Sequence, residues 1–151
     1  ILDYIFSETP NYQVEKSIQA YSSGGLLGTG PGEGKVKRYI PDAHTDFIFP
    51  VIAEEYGVIA CISIIFIIFT IFFRGLYRTS KLNDLFNLLA STGLLILFIT
   101  QALINISVSL KLIPTTGVTL PLISYGGSSL LSMGIIMGIM LALTRKQFGA
   151  K

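Results

Sequence analysis

The chain has 151 residues, about the length of one ordinary domain. However, 51% of its residues are hydrophobic and only 13% are charged, against about a quarter charged in soluble domains, and the mean hydropathy is +0.66. A single cysteine, a single histidine and a net charge of +2 exclude an internal disulfide framework, a histidine-rich metal site and a basic field for nucleic acid.

The charges that are present divide the chain. Tyr56 to Phe73 is an uncharged run of 18 residues, Leu85 to Leu110 one of 26, and Leu112 to Thr144 one of 33. A helix needs about 20 apolar residues to cross the hydrocarbon of a bilayer, so the first two runs each suit one span. The third is too long for one helix and breaks at Pro114-Thr115-Thr116-Gly117 and at Pro121. The expected fold is therefore an all-α polytopic membrane protein with three transmembrane helices, over about 50–73, 85–110 and 122–143. Arg74, Arg78 and Lys81 follow the first span, and Arg145, Lys146 and Lys151 follow the third. Only Lys111 lies between the second and third. Positive charge marks the cytoplasmic side. Residues 1–46 are thus expected outside the membrane and the C-terminus inside, despite Lys35, Lys37 and Arg38 in the outer segment.

In chain order, the outer segment opens with Val14, Ile18 and Tyr21 at spacings of four and three, with Glu15, Lys16 and Gln19 on other faces. This pattern predicts a short amphipathic helix lying in the headgroup region. Six glycines follow between Gly24 and Gly34. They do not make a nucleotide loop, because Thr29 stands where a Walker A glycine belongs and Val36 where Ser or Thr would follow Lys35.

At the mouth of the first span, Pro41-Asp42-Ala43-His44-Thr45-Asp46-Phe47-Ile48-Phe49 brings together two carboxylates and the histidine. Pro50 lacks a donor, so the helix is expected to start or bend there. Asp46 would then sit near a helix N-terminus that favours an anion. The residues alone leave helix capping by Asp46 or Thr45 level with catalysis. Glu54 and Glu55 lie two to three turns deeper and must find partners or water.

Most of the first span is plain apolar filler suited to lipid. The second carries Gln101 and Asn105 on one face. Amides in lipid need partners, so this face is expected to look into protein or a wet cavity. The third carries Gly134, Gly138 and Ala142 at a spacing of four, a stripe that suits close helix packing. Together these faces call for helices outside this sequence. The absence of an initial Met adds to the expectation of a C-terminal part of a larger membrane protein.

Two ordered blocks carry a resemblance. Residues Ile40 to Phe49 with Ala53-Glu54-Glu55-Tyr56-Gly57, and Leu112 to Ser129 with Pro114-Thr115-Thr116-Gly117-Val118-Thr119-Leu120-Pro121 and Ser124-Tyr125-Gly126-Gly127-Ser128-Ser129, resemble signatures of the SEDS family (shape, elongation, division and sporulation proteins). Ala43 and the Thr-Gly-Val-Thr-Leu-Pro run look most like its division branch, ahead of the elongation and sporulation branches. Pro50 departs from the small residue common at that place.

The resemblance implies a ten-span bundle, of which this chain would be the large outer loop and last three spans. It also implies a peptidoglycan glycosyltransferase of the bacterial inner membrane, at the division septum, that polymerises lipid II. Asp46 would be the catalytic base. His44, Thr45, Glu54, Glu55, Gln101, Asn105, Ser124, Tyr125, Gly126, Gly127, Ser128 and Ser129 are supporting or substrate-cavity candidates. The hydroxyls of the last group are expected to cap the third span, leaving a helix start that suits an anion.

No metal ligand is assigned and no cofactor is fixed, with room left for a divalent cation. The implied partners are lipid II, membrane lipid, a class B penicillin-binding transpeptidase and other divisome proteins, and no nucleic acid. A lipid-linked precursor flippase or carrier, and a non-catalytic divisome scaffold, are the alternatives. The fragment alone is expected to be inactive.

Overall fold

The computed structural model describes residues 10–36 and 45–145, with side chains from Glu15 onward in the first segment. Among these residues every regular element is a helix: α1 is Pro10–Gly24, α2 Ile48–Thr79, α3 Leu85–Ser109 and α4 Gly127–Leu143. Helices α2 and α3 are long and apolar enough to cross a membrane, while α4 is apolar but shorter, with 17 residues. Helix α2 packs on α1 and α3, and α3 packs on α4. The core between them is built from Phe49, Ala53, Cys61, Ile68, Phe98, Ile99, Ala102, Leu120 and Met133.

Helix α2 is broken. Gly57 has φ 78° and ψ −177°, so two helical pieces meet there. Pro50, in the first turn, needs no intrahelical donor and does not bend the helix; the bend falls at Gly57 instead. Such a break frees carbonyls from their i+4 donors, and buried carbonyls require replacements.

The glycine-rich stretch supplies them. Thr29 N–H and Thr29 Oγ1 donate to Glu54 O at 2.9 and 3.0 Å, and Gly30 N–H donates to Glu55 O at 3.1 Å. In return, Val58 N–H donates to Gly25 O at 3.1 Å. Backbone approaches backbone so closely that a Cβ at Gly24, Gly28 or Gly57 would collide with Ala53 O, Glu55 O or Leu26 O respectively. Beyond the break, Val58 to Thr79 is long enough, at about 1.5 Å per residue, to cross about 30 Å of hydrocarbon alone.

The face that α1 buries differs from the expected one. In α1 the buried residues are Ser17, Ala20 and Gly24, while Ile18 is 43% exposed and Tyr21 half-buried. The Val14 side chain lies outside the described residues. Backbone proximity decides this face: α1 lies close against Ala53 and Ser109, where only small side chains fit, and Ser17 Oγ donates to Ser109 O at 2.8 Å. In α4 the buried residues are Met133 and Met140. A Cβ at Gly134 or Gly138 would meet nothing within 4 Å, and Ala142 is exposed. The small-residue stripe therefore has no partner among the described residues.

The helix of the third apolar run begins at Gly127, later than residue 122, because residues 120–124 form a tight turn. Leu120 N–H donates to Ser124 Oγ at 2.8 Å, Ser124 N–H donates back to Leu120 O at 3.1 Å, and Leu122 sits at φ 64°.

Candidate functional site

Most of the buried polar side chains gather at one end of the bundle. There the residues before α2 meet the C-terminal half of α3 and the loop over residues 110–126. Phe47, with no polar side chain, occupies the N-cap position of α2. Asp46 precedes it and is half-buried, as is Thr45. His44, with Lys37 and Arg38, lies outside the described residues.

Asn105 joins the two segments. It is 2% exposed, and its Nδ2 donates to Asp46 O at 2.8 Å and to Val118 O at 2.6 Å. Both partners are carbonyls, so they fix which way the amide points. One turn earlier, Gln101 Nε2 donates to Thr119 O at 3.0 Å and Thr119 Oγ1 at 3.4 Å. The polar face of α3 is thus occupied by loop backbone. This is the partner the two amides require, and it is a loop rather than another helix.

The clamp brings Gly117 beside the Asp46 carboxylate: a Cβ at Gly117 would stand 3.6 Å from Asp46 Oδ2. Gly117 has φ +67°, a left-handed conformation that costs a residue with a side chain about 1–2 kcal/mol. The backbone turn at Gly117, not a lack of room beside Asp46, is therefore what favours glycine here.

Glu54 faces another way. It is 1% exposed, accepts from Val36 N–H at 2.8 Å and lies against Gly34, where a Cβ would stand 2.9 Å from Oε2. Its carboxyl closes the glycine-rich stretch over the break in α2. Glu55 is half-buried beside it, and its carbonyl holds Gly30. Sequence reasoning gives these two glutamates a supporting role but misses Gly57 and its loop. The available signal is a glycine directly after Glu54-Glu55-Tyr56 inside an apolar run, with a glycine-rich stretch preceding it.

The expectation for the Ser124 to Ser129 block is corrected. Gly126 is the N-cap of α4 and no side chain there caps it. Ser124 is buried and spends its hydroxyl on Leu120 N–H, while Ser129 Oγ donates to Gly126 O at 3.0 Å. Capping requires a hydroxyl to accept from the first N–H groups, and Ser129 Oγ here acts as a donor. Tyr125 is 82% exposed and Gly127 and Ser128 are exposed too. This block stands beside the clamp through Thr119 and Leu120, with Tyr125 turned outward.

Helix α1 reaches the same end. Tyr21 Oη lies 2.9 Å from Ser109 Oγ, and burial pushes the Tyr21 phenol well up, so it stays protonated. Among the described residues no group of three or more His, Cys, Asp or Glu gathers as a metal site.

Comparison with known proteins places the chain in a family. A protein of Caulobacter vibrioides named as a probable peptidoglycan glycosyltransferase FtsW is 52% identical over 143 residues, covering 95% of this chain and 37% of its own length. Its counterpart of the same name from Bacillus subtilis is 43% identical over 139 residues, 89% of this chain and 34% of that protein. A chain of a solved peptidoglycan synthase complex, described for coordinating polymerization and crosslinking, superposes with a TM-score of 0.73 at 28% identity. It covers 90% of this chain and 38% of its own length. The chain thus spans little more than a third of the length of these relatives. The cell cycle protein family of FtsW, RodA and SpoVE matches residues 5–148, and the chain belongs to that family.

Proposed function

We propose that the protein containing this chain is a peptidoglycan glycosyltransferase of the division type, polymerising lipid II, with Asp46 as the general base. The observation that carries this reading is the clamped Asp46. Its backbone is tied to α3 by Asn105 and its carboxylate stands beside Gly117 at the end of the bundle where the loops converge. The names of the FtsW relatives support the reaction class and the division branch.

The acceptor's sugar 4-hydroxyl attacks the donor's anomeric carbon. As the new glycosidic C–O bond forms, the bond to the polyprenyl pyrophosphate breaks. The hydroxyl proton passes to the Asp46 carboxylate. A sugar hydroxyl is a poor nucleophile near neutral pH, and a positioned base is worth about 10²–10⁴-fold. Direct displacement inverts the anomeric centre and needs one carboxylate. Pyrophosphate is a good leaving group whose charge calls for neutralisation. Lys111 lies exposed at the loop end, and other cations would come from parts of the protein beyond this chain. His44 and Thr45 orient the Asp46 turn, while Glu54 and Glu55 hold the half-helix behind it.

In this reading α2, α3 and α4 are the last three spans of a ten-span bundle in the bacterial inner membrane, with Asp46 outside and Arg145 inside. The protein works at the septum with a class B penicillin-binding transpeptidase. The solved relative's place in a synthase complex supports such a partner. The break in α2 is the feature that most resembles a carrier. Its carbonyls are engaged by Thr29 and Gly30, which favours chemistry at the loop end over passage through the break.

The test is lipid II polymerisation by the full-length protein with its transpeptidase, comparing wild type with Asp46→Asn at equal membrane insertion and complex formation. Loss of glycan product with assembly intact is expected. Product at the wild-type rate would make Asp46 a structural residue and move the carrier or scaffold reading ahead.

A further inference from the structure

We infer that Asn105 is a positioning residue that sets where the Asp46 carboxylate stands, an inference that rests on the reaction proposed above. Asn105 does not bond the carboxylate. Its Nδ2 holds the Asp46 main-chain carbonyl at 2.8 Å and the Val118 carbonyl at 2.6 Å. The two segments that flank the carboxylate, the turn before α2 and the loop after α3, are therefore registered against each other by one amide. Gln101 secures the same loop one residue further on, at Thr119.

The registration matters because it determines which groups surround Asp46. With Val118 and Asp46 held by the same nitrogen, Gly117 falls beside Asp46 Oδ2. Freed from Asn105, the turn before α2 keeps its covalent link to the helix and the packing of Phe47 on Val108 but loses this hydrogen bond to α3, so the carboxylate can shift relative to the loop. A base misplaced by about 1 Å costs on the order of 10²-fold in rate. Its charge and its neighbours in sequence are unchanged.

This predicts a particular kinetic pattern. Removing the amide leaves the carboxylate present but off its mark, so kcat falls while the KM for lipid II stays near its normal value. A residue that merely stabilises the bundle would not separate the two. Ser109 is the control: it is fully buried on the same helix one turn further on and bonds Tyr21, not the loop.

The experiment measures kcat and KM for lipid II with the full-length protein and its transpeptidase, using Asn105→Ala, Ser109→Ala and Asp46→Asn, each with its thermal midpoint. The expected result for Asn105→Ala is a kcat about tenfold or more below wild type, with KM within about twofold, and for Ser109→Ala a kcat near wild type at a comparable thermal midpoint. A normal kcat in Asn105→Ala, a rise in KM alone, or an equal kcat loss in Ser109→Ala overturns the inference. If alanine prevents insertion, Asn105→Ser is read instead. Its short hydroxyl cannot reach both carbonyls, so reduced kcat supports the role and wild-type kcat overturns it. If Asp46→Asn is itself fully active, the proposed reaction fails. If only the Asn105 variants are normal, the positioning role fails and the reaction stands.

Discussion

The two parts of α2 behave as different kinds of helix. Between Ile48 and Gly57 the residues Phe49, Pro50, Val51, Ala53, Glu54 and Gly57 are buried, and backbone groups bond to a loop some 25 residues earlier in the chain. From Val58 to Thr79 only Cys61, Ile68, Gly75 and Thr79 are buried, and Phe66, Ile67, Phe73 and Tyr77 stand more than half exposed. The first part is held by hydrogen bonds and close backbone contact with this chain's own loops. The second is an apolar rod that packs one side on α3 through Cys61, Ile68 and Gly75 and leaves the rest of its surface exposed. Geometry that must be exact is therefore built at the loop end, and exposed apolar area makes up most of the rest.

The largest effect that would separate the two parts is chemical. Asp46→Asn should lower glycan synthesis by about 10²–10⁴-fold, whereas Phe66→Ala, on the exposed rod, should leave the rate within about twofold and stability within about 0.5 kcal/mol, as read by product gels and thermal melts of the purified complex. Next comes the break. Gly57→Ala puts a side chain at φ 78° against Leu26 O and should cost more than about 2 kcal/mol, visible as a lower denaturant midpoint and faster proteolysis within residues 24–36. Glu54→Ala strips Val36 N–H of its acceptor and should cost about 1–3 kcal/mol, while Glu54→Gln, which keeps an acceptor, should cost less. The smallest effect is Tyr21→Phe. It removes the bond to Ser109 and should cost about 1 kcal/mol, without changing glycan synthesis.

Much of the loop end is legible in the amino-acid sequence. Charge spacing locates the apolar runs, and the four-residue step from Gln101 to Asn105 marks a face that must find partners. Asp46 stands out because it lies beside a helix start with a second carboxylate, Asp42, and His44 close by in sequence. Three features are not legible, for a shared reason. The break at Gly57, the buried small face of α1 and the Ser124 turn all depend on which backbone segment arrives from elsewhere in the chain. Periodicity ranks side chains by hydrophobicity, and so it marks Ile18 on α1. Contact with the backbone at Ala53 instead selects Gly24, where a Cβ would collide with the Ala53 carbonyl. Ser124 looks like a cap because serine before a helix commonly caps it, but the Leu120 N–H takes its hydroxyl instead.

The most direct measurement is a single-turnover experiment with lipid II, following binding and glycosidic bond formation separately in wild-type and Asp46→Ala full-length protein with its transpeptidase. The account predicts that Asp46→Ala binds lipid II within about threefold of wild type, because the loop scaffold stays intact, and forms glycosidic bonds about 10²-fold or more slowly. Bond formation at the wild-type rate, or a loss confined to binding, would contradict it.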